Sequence, residues 1–220
     1  MAYNPKQIIH GAAAIFYSDL SSRDTGWDDV ALPAYSTGTF QTTLEGSAAW
    51  HHVGLTTEGV EVEYSPEFKD VEVDQLLDAA EIYKTKQTMT VTTTLVEATL
   101  EHLLFVWGLG NDQLKETGDT PFAGGTALGA DDQELGIYEG ALGETPVERA
   151  LAFVGPGPRK PGKKTERVYH LRRVLQTEAS SHGLKRAEET VFPVSFRCLP
   201  DPRSSFVGAG YGTIRERAYT

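Results

Sequence analysis

Few side chains in this 220-residue sequence are spaced for catalysis. The six histidines are His10, His51, His52, His102, His170 and His182. No two of them sit at i, i+4 around a glutamate, the helical arrangement that grips zinc. The adjacent pair His51-His52 would point to opposite faces of a strand, which is poor geometry for one metal. Cys198 alternates with Phe196, Val194 and Phe192, so it reads as a buried thiol. As the one cysteine, it also excludes an internal disulfide framework and a multi-cysteine metal site. There is no nucleophile elbow and no Walker-type loop. Gly208-Ala209-Gly210-Tyr211-Gly212 lacks the lysine and the following helix of a phosphate loop, so it reads as a bend or bulge. Carboxylates are numerous, but number alone does not build a glycosidase pair. The expectation is a protein without enzymatic activity, cofactor or metal.

What the charged residues offer is a field. The chain carries 20 basic and 31 acidic side chains, a formal net charge of −11. That balance disfavours a general grip on nucleic acid. The acids gather early, at Glu58, Glu61, Glu63, Glu67, Asp70, Glu72, Asp74 and Asp78, with Lys69 alone among them. The bases gather late, at Arg159, Lys160, Lys163, Lys164, Arg167, Arg172 and Arg173.

Periodicity says which elements carry these charges. Val60, Val62 and Tyr64 alternate with Glu61 and Glu63, and Val71 and Val73 with Glu72 and Asp74, as in strands with one apolar and one acidic face. Ser65-Pro66-Glu67 between them has turn chemistry, so the two runs are expected to form a hairpin with a carboxylate face. The next strand, Lys84 to Val96, puts Thr88, Thr90, Thr92 and Thr94 on one side, opposite Met89, Val91, Thr93 and Leu95. A helix follows. Thr94 and Glu97 fit a capping box, and Leu100, Leu103, Leu104 and Trp107 form its packing stripe, with Glu97, Glu101 and His102 off it or at its edge.

Further strands are expected at Ile8 to Tyr17, Val147 to Val154, Arg167 to Gln176, Thr190 to Leu199 and Gly208 to Arg217. Pro193 marks an edge or bulge. Long irregular segments cover 19–46, the Gly-rich stretch 109–145, with a short strand at 134–139, and a basic Pro/Gly loop at 155–165. No apolar run approaches the ~20 residues of a membrane helix, and the N-terminus shows no apolar signal core. The expected organisation is a single domain over 1–220, mainly β. It is an antiparallel sandwich or partial barrel with one flanking α-helix and long loops.

The stretch from Gly54 to Gly108 resembles the major tail tube proteins of long-tailed bacteriophages. The likeness rests on Gly54-Leu55-Thr56-Thr57-Glu58-Gly59-Val60-Glu61-Val62, the segment Glu67 to Asp74 with Asp78-Ala79-Ala80, the strand Thr88 to Leu95, and Glu97-Ala98-Thr99-Leu100-Glu101-His102-Leu103. The Phe192-Pro193-Val194-Ser195-Phe196 strand and Gly212-Thr213-Ile214 extend it. The resemblance implies a virion protein that forms hexameric rings whose inner sheets close into a barrel. The rings stack into a tube that conducts the genome. It implies self-association as the main partnership, contacts with tape-measure, tail terminator and baseplate proteins, and DNA that passes without specific binding. The setting is the virion tail, with assembly in the host cytoplasm and no membrane role. The small C-terminal domain that often decorates the family is not expected here.

On that footing Glu61, Glu63, Glu72, Asp74, Thr88, Thr90 and Thr92 are candidates for the lumen. Trp27, Tyr35, Phe40, Arg159, Lys160, Lys163 and Lys164 are candidates for contacts between subunits or rings. The alternative reading is a receptor- or carbohydrate-binding β-sandwich of a minor tail component. It is motivated by the loop aromatics Trp27, Tyr35, Trp50 and Tyr138, whose faces suit sugars.

Overall fold

A computed structural model describes residues 11, 13–19, 50–72, 74, 78–140, 142–143, 146–158, 163–184, 186, 189–201 and 208–219. The candidates Trp27, Tyr35, Phe40, Arg159 and Lys160 lie outside them, as does most of the strand start expected at Ile8.

The described residues are mainly β, with every strand pair antiparallel. The elements are β1 (Ala14–Asp19), β2 (His51–His52), β3 (Thr56–Val71), β4 (Glu81–Leu95), α1 (Leu100–Val106), a 3-10 turn at Asn111–Gln113, β5 (Leu114–Lys115), β6 (Glu134–Leu135), β7 (Arg149–Pro156), β8 (Lys164–Gln176), β9 (Phe192–Cys198) and β10 (Gly212–Tyr219). Eight strands form one sheet in the order β2-β1-β7-β8-β9-β4-β3, with β10 also on β8. Strand β8 meets β9 at its C-terminal end and β10 along its first half, so the sheet forks there. The small β5–β6 pair gives the Gly-rich segment regular structure of its own.

The sheet buries apolar residues on both sides. The larger core joins Ile15, Tyr17, Val91, Leu95, Leu151, Phe153, Val174, Val194 and Phe196 to Phe105 and Val106 of the helix. Phe105 spans it: its ring lies 4.7 Å from Tyr17 on β1 and 4.9 Å from Phe196 on β9. One helical side chain thus reaches two strands that are not neighbours in the sheet. The opposite side of β1, β7 and β8 buries Ala14, Phe16, Trp50, Ala150, Ala152, Val154 and Val168.

Three expectations need correcting. The first hairpin does not turn at Ser65-Pro66-Glu67. One 16-residue strand runs through those residues and pairs with β4 along its whole length; the connection comes later, at residues 72–80. Pro66 is tolerated because β3 is the edge of the sheet, where a missing N–H can face outward. The helix is capped by Thr99, whose hydroxyl accepts from His102 N at 3.2 Å, and not by Thr94. Glu97 instead accepts from Leu55 N at 2.9 Å. The packing stripe is also displaced. Leu100, Leu103 and Trp107 are only half-buried, while Leu104, Phe105, Val106 and His102 are buried. A seven-residue helix wedged into a curled sheet meets neighbours on several sides, so a single-stripe rule fails. His102 is held by Nδ1 against the Glu97 carbonyl at 2.9 Å.

Two turn signals are explained locally. Gly212 begins β10 with φ 152°, and a Cβ there would meet the His170 carbonyl oxygen at 2.0 Å. Pro193 sits where β9 pairs with β4 alone, because β8 reaches β9 only from Phe196 onward.

Candidate functional site

The long hairpin carries the candidate residues. Directly paired residues of antiparallel strands share a face. Glu61 pairs with Thr92, Glu63 with Thr90, Ser65 with Thr88, and Glu67 with Lys86. The acidic and threonine faces expected separately are therefore one surface. Strand β9 extends it, with Ser195 beside Thr92 and Arg197 beside Thr90. The other face carries Val60, Val62 and Tyr64 opposite Thr93, Val91 and Met89, and Val91 and Thr93 are buried. A strand's period of two puts the ladder of carboxylates and hydroxyls on the side away from the core.

This arrangement removes a conflict in the hairpin expected from sequence, which would have set the two acidic runs against each other. Like charges directly opposite are destabilising. Here the cross-strand partners of Glu61 and Glu63 are neutral threonines, and Glu67 meets Lys86 at 2.8 Å. At the start of β3 two extra residues, Glu58 and Gly59, bulge outward with φ of 63° and 77°. Thr93 pins the bulge by donating to the Gly59 carbonyl at 2.8 Å. Glu58, Glu61, Thr92, Thr94, Glu178 and Ser195 border a shallow groove of about 220 Å³ on the polar face. Of the expected lumen set, Glu72 and Asp74 lie beyond β3 in the connection, exposed, and off the ladder.

The basic cluster is not one surface. Arg167 pairs with Glu216, and Arg217 with Glu166 at 2.7 Å. Arg173 grips Glu148 through two bonds of 2.8 and 2.7 Å, which holds its guanidinium above the usual arginine range. Arg172 is buried and donates to the Ala209 carbonyl. Lys163 and Lys164 are exposed.

The other candidates for chemistry are structural. His51 and His52 do point apart, onto Tyr17 and Phe16 at 5.1 Å each. Burial lowers the affinity of His52 for a proton, and its Nδ1 accepts from Gly54 N. Burial pushes the Cys198 thiol up to about 12, so it is not a nucleophile at neutral pH. Among the described residues no group of three His, Cys, Asp or Glu side chains is placed to hold a metal. Trp50 is buried against the His170 ring at 5.6 Å, so it offers no platform for a sugar; Tyr138 is exposed.

Sequence comparison supplies what geometry alone does not. The model of a family described as phage tail tube protein matches residues 1–206. The chain belongs to the phage tail tube protein family. It is thus a structural, non-enzymatic protein of the virion tail. No curated protein matches it. Membership of the family implies that the chain assembles with further copies of itself into a tube.

His170 gives one test of how the subunit is held together. It is buried on the β8 face that carries Val168, beside Trp50, and its register partners are Ala152 and Thr213. Burial, with Arg172 and Arg215 nearby, lowers its pKa to about 4. The folded state therefore keeps it neutral while the unfolded chain takes up a proton below about pH 6.5. Stability from this group is intact above pH 6.5 and falls as pH drops toward 4, by about 3 kcal/mol in all. Thermal unfolding from pH 7 to 4 should show a steeper loss in the native protein than in His170→Gln. Equal slopes would remove His170 from that role.

Proposed function

We propose that the chain forms hexameric rings that stack into the tail tube, with the polar face of β3 and β4 lining the channel. The observation that carries this reading is the ladder of Glu61, Glu63, Thr88, Thr90 and Thr92 on the side of the hairpin facing away from the core. DNA is repelled by carboxylates and finds no cation to hold its phosphates at those positions. At physiological salt the repulsion reaches ~8 Å, so it acts on DNA close to the wall and lets it slide. Arg197, in register with Thr90, is the one base among the β9 residues paired with β4.

The outer edge of β3, unpaired among the described residues, supports ring closure. A long unpaired edge invites association, and pairing it with a neighbour's strand removes that liability. Glu72 and Asp74 belong at the rim in this arrangement. Trp27, Tyr35 and Phe40 in the long 19–46 segment, and Arg159, Lys160, Lys163 and Lys164, serve contacts between subunits or rings. The chain's further partners are the tape-measure, tail terminator and baseplate proteins, and DNA transits the lumen without specific binding.

Negative-stain microscopy of concentrated purified protein tests the assembly. Six-fold rings and stacked tubes with a central channel are expected. Monodisperse monomers across a range of salt and pH would overturn it.

A further inference from the structure

The hairpin outruns the sheet that supports it. Strand β4 pairs with β9 only over Thr90–Leu95, so among the described residues Glu81 to Met89 has strand partners on β3 alone. Strand β3 spans roughly 50 Å at ~3.3 Å per residue, and about half of it belongs to this two-stranded arm. A ribbon of two strands is marginal in water. The arm still carries large apolar side chains on its core-side face past the end of the core, set among Gln87, Lys84 and Asp70 of the same face. Tyr64, Phe68 and Ile82 lie on that face and are 53%, 61% and 62% exposed. An apolar stripe on a marginal ribbon marks a surface that another molecule covers.

We infer that this stripe seats on a second copy of the chain, at the end of β10. The inference rests on the proposed tube and goes beyond it by naming both halves of one contact. The arm ends in acids: Asp70, Glu72, Asp74, Asp78 and Glu81 are all exposed. The complementary surface is on β10 and the start of β8. Among the described residues, strand β10 pairs only with β8. Ile214 on β10 is 62% exposed and in register with Tyr169, next to the Glu216–Arg167 ion pair on the same face, while Lys163 and Lys164 are exposed toward the other end of the strand pair. Each surface has exposed apolar residues, and the acidic tip of the arm is matched in sign by Lys163 and Lys164 at the start of β8. Because arm and seat are different surfaces, the contact is head-to-tail, the type that closes into rings or continues as a stack.

Tube formation followed by sedimentation and microscopy tests this. Phe68→Ser with Ile82→Ser, and separately Ile214→Ser, should reduce pelletable tubes roughly tenfold or more while leaving the monomer's melting temperature near the native value. Lys163→Glu with Lys164→Glu should weaken assembly, and adding Asp70→Lys with Glu72→Lys should restore it. Mixed assembly of Phe68→Cys subunits with Ile214→Cys subunits should give a disulfide-linked dimer under oxidation, a readout independent of the serine variants' folding. Native-level tubes from the arm variant would overturn the inference. Loss of tubes without charge-swap rescue or cross-link would overturn the β10 seat. If the native protein itself forms no tubes, the proposed function fails first; native tubes with indifferent arm variants sink only this contact.

Discussion

Phe105→Ala is expected to destabilise the subunit by about 4 kcal/mol, within the range for deleting a fully buried phenylalanine ring. The ring is 0% exposed and bridges Tyr17 and Phe196 from opposite parts of the sheet. Its removal leaves a cavity where helix and sheet meet. Arg149, whose guanidinium carbon lies 5.8 Å from the ring centre, would also lose a cation–π neighbour. Arg149 donates to the Leu109 carbonyl at 2.6 Å, so it cannot readily turn away to fill the space. For a chain of this size the loss corresponds to a drop in melting temperature of roughly 8–16 °C. Circular dichroism melts would read it directly. A drop of only a degree or two would mean that the helix is not the keystone between β1 and β9. Leu103→Ala, at a half-buried position, should cost clearly less.

The second large effect concerns cargo rather than folding. Glu61→Lys with Glu63→Lys should leave rings and tubes intact, because the cross-strand partners are threonines that tolerate either charge. In the proposed six-subunit ring the wall charge would change by four per subunit, about 24 in all. On the proposed placement this would turn a repelling wall into one that binds phosphate and releases counterions. Genome ejection from particles built with the variant should slow by roughly tenfold or more, and slow less at high salt, where such contacts weaken. Ejection at the native rate would take these glutamates out of the lumen. Failure to assemble would instead place them in a subunit contact, and Glu61→Gln with Glu63→Gln would then separate loss of charge from gain of the opposite charge.

These expectations depend on features that were unequally legible. The face of each strand was readable wherever alternation was clean. Thr88, Thr90 and Thr92 were separated correctly from Met89 and Val91, because period two is a property of the local backbone. Pairing was not readable. Pro66 looked like a turn because its missing N–H and fixed φ suit one, yet an edge strand accommodates both. The basic cluster looked like one patch, but Arg167 and Arg173 find Glu216 and Glu148, which lie 49 and 25 residues away in sequence. Such partners are chosen by register between strands, which composition does not encode. The apolar arm also escaped notice, since Tyr64, Phe68 and Ile82 look like core positions until the sheet beneath them is seen to end.

The sequence by itself determined that this is a mainly β chain with one short helix, poor in catalytic constellations, with acidic and threonine-rich strand faces. Its family likeness was also visible there, in the stretch from Gly54 to Gly108. Those properties are local or compositional, so they survive without knowledge of the fold. Only the tertiary structure decided that the acidic and threonine rows make one surface, that Phe105 and Val106 fill the core, and that half the hairpin stands clear of its sheet. The reason is physical: side-chain alternation is set within one strand, whereas register, enclosure and exposure are set by which distant segment lies alongside it.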